Sequence, residues 1–104
     1  MITTVIRFDS YVFDTLLRDL TGHDKKPSSF LIYAFLWSQS MGQGKLVCRM
    51  SHREVAEATG FSKSAVQAAI RHLVKRQLVE KRLRTPTAVP EYTMLKPWVR
   101  HHKR

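Results

Sequence analysis

Acidic side chains are scarce in this 104-residue chain: eight Asp and Glu face eighteen Lys and Arg, a formal net charge of +10. Cysteine is scarcer still. The single Cys48 excludes an intramolecular disulfide, so folding must rest on a packed core, as expected in a reducing compartment. The longest apolar run, "FLIYAFLW" (Phe30 to Trp37), falls far short of the roughly 18 residues of a membrane span. No basic start, apolar core and small-residue cleavage site mark a secretory signal, so the expected location is the cytoplasm, with no membrane partner. Gly-rich phosphate loops and a strand-turn-helix presenting a nucleophilic Ser are absent as well. The few carboxylates are scattered, which argues against a paired acid and base, and so against an enzyme or a cofactor. Cys48, His52, His23, His101 and His102 show no Cys-x-x-Cys or His-Glu-x-x-His spacing, so no metal site is expected.

What is present is unevenly distributed. Up to Gly44, Arg7, Arg18, Lys25 and Lys26 balance Asp9, Asp14, Asp19 and Asp24. From Lys45 onward, fourteen basic residues face only Glu54, Glu57, Glu80 and Glu91, so that half holds the whole excess. Such self-repulsion costs stability and points to a polyanionic partner. The length suits one domain able to bury its own core.

"TTVIRF" (Thr3 to Phe8) is rich in β-branched residues and predicts a short strand. Ser10 or Asp9 is then placed to cap a helix with an apolar stripe at Val12, Phe13, Leu16, Leu17 and Leu20. After "TGHDKK", Pro27 opens a second helix that is apolar nearly all round, the pattern of a helix buried between others. "LVCRM" (Leu46 to Met50) is a candidate strand. Ser51 and Glu54 then form a Ser-x-x-Glu capping box, which starts a third helix.

That helix is broken almost at once, in "EATGFSKSAV" (Glu57 to Val66). Gly60 can enter the left-handed region without a side-chain penalty and so ends the helix abruptly. Ser62 is a natural cap for a new one, "KSAVQAAIRHLVKRQ", whose apolar face is Val66, Ala69, Ile70, Leu73 and Val74. Two helices joined by a short turn containing Gly describe a helix-turn-helix. "LVEKRLR", "TPTAVP" and "EYTML" follow as strand, loop and strand.

Ala56, Gly60 and Val66, with Val55, Phe61 and Ile70 as apolar supports, resemble the helix-turn-helix of bacterial DNA-binding proteins. The hairpin that follows looks like the wing of a winged helix-turn-helix, and "HLVKRQLVEKR" is similar to the MarR and GntR groups of regulators. The resemblance implies a mainly α fold with a small β-hairpin wing and an extra N-terminal strand and helix. Its expected organisation is an N-terminal extension (1–26), a winged domain (27–98) and a basic tail (99–104).

The resemblance further implies that the second helix of the motif enters the major groove of double-stranded DNA. With Val66, Ile70 and Leu73 inward, Ser64, Ala68, Arg71 and Lys75 face outward, flanked by Gln67 and His72. Gln67 and Arg71 are the expected base readers, since Gln pairs bidentately with adenine and Arg with guanine. Ser62, Lys63, Ser64 and Lys75 are expected on phosphates. Lys81, Arg82 and Arg84 of the wing are expected on the backbone or in a neighbouring minor groove. "RHHKR" (Arg100 to Arg104) is a further candidate phosphate contact. A transcriptional regulator is the favoured role, and the N-terminal strand and helix (Thr3 to Leu20), with the Trp98 region, either pair two copies as a homodimer or cap the monomer's core. Replication initiation on a plasmid or phage, and a winged helix used to bind another protein, are the alternatives.

Overall fold

The computed structural model describes residues 4–99, so the tail Arg100–Arg104 and its expected phosphate contacts lie outside the described residues. Residues 4–8 form no strand, contrary to the expectation for Thr3–Phe8. Their polar backbone is taken up elsewhere. Arg7 donates its N–H to the Gly42 carbonyl at 3.3 Å, and its own carbonyl accepts from the Trp37 indole at 2.7 Å. Gly42 is glycine because a Cβ there would collide with the Ile6 side chain.

The helix that follows contains two wide π-helical turns, Val12–Leu16 and Asp19–His23. It packs mainly on one helix, α1 (Pro27–Ser38), so one stripe is covered more deeply than the rest. Val12, Leu16 and Leu20 are at most 3% exposed, whereas Phe13 and Leu17, expected on the same stripe, are 49% and 37% exposed. Nor does Asp9 serve as a cap. Its carboxylate is engaged by the Trp98 indole at 3.3 Å and Lys96 Nζ at 3.1 Å.

Phe30, Ile32, Tyr33, Leu36 and Trp37 of α1 are buried, as expected for a helix enclosed by others. Its main partners are the N-terminal helix and the helix after Ser62. A short 3-10 turn, Met41–Gln43, leads into β1 (Val47–Arg49). Then come α2 (His52–Thr59), α3 (Lys63–Lys75), β2 (Val79–Arg82) and β3 (Glu91–Met94).

The sheet is antiparallel in the order β1-β3-β2. The hairpin is therefore not alone: β1 closes its far edge, pairing Cys48 with Tyr92, while Lys81 pairs with Tyr92 from the other side. Paired residues share a face and alternate residues change face. Cys48, Tyr92, Val79 and Met94 accordingly form the apolar inner face, all 5% exposed or less. Lys81 lies on that same inner face, at its rim. Arg82 lies on the outer one, paired with Glu91, which Arg49 bridges at 2.7 Å.

Candidate nucleic-acid interface

The capping box forms as its spacing predicts. Ser51 Oγ accepts from the Glu54 N–H at 3.0 Å, and Glu54 Oε1 accepts from the Ser51 N–H at 2.9 Å. Eight residues later α2 stops. Gly60 takes φ +85° and its N–H closes the last turn on the Ala56 carbonyl at 2.9 Å, a left-handed cap that a side chain would strain. Phe61 packs partly against the core, and Ser62 Oγ accepts from the Ala65 N–H at 3.1 Å to start α3. The Ser62 hydroxyl also meets that of Ser64 at 3.3 Å, so its side chain already works as a cap.

Along α3 the division between faces is sharp. Val66, Ala69, Ile70 and Leu73 are buried, while Lys63, Ser64, Gln67, Ala68, Arg71 and Lys75 are exposed. Val74, expected with the apolar face, is instead 41% exposed. At ~100° per residue it lies about 60° from Arg71 and only partly beneath the core.

Two clefts flank the exposed ridge. One, of about 420 Å³, runs between α3 and the sheet and is lined by His52, Gln67, Ile70, Arg71, Val74 and Lys81. The other, of about 350 Å³, is lined by Lys26, Ala68, Arg71, His72 and Lys75. Arg71 belongs to both.

The structure thus gathers Gln67, Arg71, Lys75 and Lys81, with Ser62, Lys63 and Ser64 at the start of the same helix. Arg82 and Arg84 are exposed but do not line the clefts. His72, expected beside the reading face, is turned away. Its Nε2 lies 2.8 Å from Asp24 Oδ2, an oxygen that Arg76 Nε also approaches at 2.9 Å. His23 Nδ1 holds the other Asp24 oxygen at 2.9 Å. Burial pushes the Asp24 carboxyl up, but the His23 and His72 hydrogen bonds and the Arg76 guanidinium prevail and hold it at about 2.

Two cleft residues escape sequence reasoning as interface residues. His52, weighed only as a metal ligand, carries a buried Nε2 with no partner among the described residues. Burial lowers its pKa, and the positive charges of Lys81 and Lys63 lower it further. Lys26 stands far from α3 in sequence, and no local pattern marks it. Among the described residues, no group of three or more His, Cys, Asp or Glu is placed to hold a metal.

A capped helix pair, a glycine turn, an exposed cationic second helix and a three-stranded sheet beside it form one known arrangement. The fold is a winged helix-turn-helix. Residues 48–80, from β1 through α2 and α3 into β2, match the model of a winged helix-turn-helix DNA-binding family. No curated protein and no solved structure matches the chain. The family match supports DNA binding, with double-stranded DNA as the partner. Among the described residues no helix is long and apolar enough to cross a membrane.

Proposed function

We propose that this winged helix-turn-helix reads a specific duplex sequence by placing α3 in the major groove, and that it serves as a transcriptional regulator in the cytoplasm. One observation carries the reading. The ridge Ser64, Gln67, Ala68, Arg71 and Lys75 is exposed along α3 while the opposite face is buried. A helix so placed offers its outer side to a groove about 12 Å wide. Gln67 and Arg71 are cast as base readers. Lys63, Ser64 and Lys75 take phosphates, joined at the helix start by the free backbone amides beside Ser62. Lys81 approaches the backbone from the sheet, and Arg82 and Arg84 extend that contact along the hairpin.

The homodimer is part of the same proposal. The N-terminal half is neutral, and Phe13, Leu17 and Leu31 are exposed there. Two copies meeting through that half would keep their basic halves apart, reading half-sites about 34–36 Å apart. Sedimentation showing only monomer at high micromolar concentration would remove the dimer.

Selection of bound duplexes from a random pool tests the main reading. Binding should weaken with salt at a log-log slope of about −0.9 per phosphate neutralised. Arg71→Ala should relax sequence preference, each lost bidentate pair being worth about 1–3 kcal/mol, while Lys63→Ala should weaken all duplexes alike. Equal, sequence-independent losses from both would contradict the assigned roles.

A further inference from the structure

The ridge of α3 has two walls, and the second is not part of the winged motif. At 3.6 residues per turn, Gln67, Ile70 and Val74 lie to one side of Arg71, and Ala68, His72 and Lys75 to the other. The first side faces His52 and Lys81 across the larger cleft. The second faces Lys26 across the smaller one. A major groove is likewise bounded by two phosphate strands. Resting on the major-groove placement proposed above, we propose that Lys26 is a DNA-phosphate contact on the strand opposite the one held by Lys81.

The placement of Lys26 is built, not incidental. Its N–H donates to the Leu20 carbonyl at 2.7 Å, and its carbonyl accepts from the Ser29 N–H at 3.0 Å. Lys25 turns the chain with φ +56°. Two residues before Lys26, the Asp24 carboxylate is tied to His72 and Arg76 on α3 itself. The turn is thereby fastened to the helix whose groove contacts it would flank. The Lys26 side chain is exposed and makes no ion pair with any described residue. A cation held at its backbone but free at its tip suits a phosphate, which needs charge nearby and little angular precision. The N-terminal segment then has a role beyond covering the core: it carries the second wall.

The test uses the full chain and the best duplex selected from a random pool. Lys26→Ala should lower affinity about five- to tenfold at 0.1 M salt and make the salt slope shallower by about 0.9, as for one lost phosphate. Lys26→Arg should restore both. Sequence preference should not change. A set of duplexes carrying one neutral methylphosphonate each should then locate the contact. Within one half-site, sites that weaken the parent protein but no longer weaken Lys26→Ala should fall on one strand, and those silenced by Lys81→Ala on the other. An unchanged slope in Lys26→Ala, with a reduced slope in Lys81→Ala, overturns the inference and leaves the groove reading intact. Silenced sites on the same strand of a half-site for both variants also overturn it. Failure of the unaltered protein to bind any duplex in a salt-dependent way overturns both.

Discussion

Asp24 Oδ2 accepts a hydrogen bond from His72 Nε2 at 2.8 Å, joining the end of the N-terminal helix to α3 across 48 positions of the chain. The carboxylate, held at about 2, has no proton to give, so the imidazole must be the donor. Arg76 on the same helix donates to the same oxygen at 2.9 Å. One buried acceptor therefore fastens two separate elements.

Asp24→Asn should cost about 1.5–3 kcal/mol, the range for hydrogen bonds to a charged group. The folded-state pKa is depressed from 3.8 to about 2. The carboxylate therefore stabilises the fold above 3.8 and loses that contribution as pH falls through about 2. Chemical denaturation at a series of pH values should show the gap between parent and variant narrowing across this window, by about 1–2 kcal/mol after allowance for solvent screening. A gap independent of pH would mean that the charge is not what holds the contact.

His52 should leave a different acid signature. Its pKa is lowered from 6.5, first by burial and then by Lys81 and Lys63. The neutral ring contributes stability above 6.5 that is lost as pH falls through the depressed folded value. In His52→Gln the first decline in stability below neutrality should be weaker than in the parent, as followed by thermal melting between pH 7 and 5.

Ser51→Ala removes the hydroxyl half of the capping box and leaves the backbone N–H that Glu54 Oε1 accepts from, so about 1 kcal/mol of stability should be lost. Ser51→Asp should recover most of the loss, because a carboxylate also accepts the Glu54 N–H. Melting temperatures of the two variants check this.

Gly60 and Gly22 should respond to alanine in opposite directions. Gly60 has φ +85°, with nothing within 4 Å of an added Cβ, so the penalty is backbone strain alone. That strain is worth about 1–2 kcal/mol of lost stability. Gly22 has equal room, lies within a helical turn and has no positive φ. Ala there should stabilise by about 0.5–1 kcal/mol. Urea titrations of the two variants should move in opposite senses.

The helix-turn-helix was legible because each of its signals is local. Ser51 and Glu54 are three apart, Gly60 closes on Ala56, and Ser62 caps Ala65. Hydrogen bonds between near neighbours depend on residue type and spacing, and both can be read off a linear string. The exposed ridge of α3 follows from the same periodicity, which places Gln67 and Arg71 opposite Leu73 and Val66. Periodicity failed where the number of covering neighbours mattered. Phe13, Leu17 and Val74 have the right spacing but too little protein over them. The strand expected at Thr3–Phe8 had suitable residues, but at Arg7 the backbone bonds to Gly42 and the Trp37 indole instead, partners that no local pattern announces.

By itself, then, the order of residues determined the capped helices, the abrupt glycine turn and the segregation of positive charge, since all three depend on neighbours along the chain. Only the tertiary structure decided that β1 joins the hairpin, that His72 turns to Asp24, and that Lys26 and Lys81 line separate clefts that share Arg71. Those relationships depend on loop paths and packing between residues distant in sequence, where side-chain type alone sets no geometry.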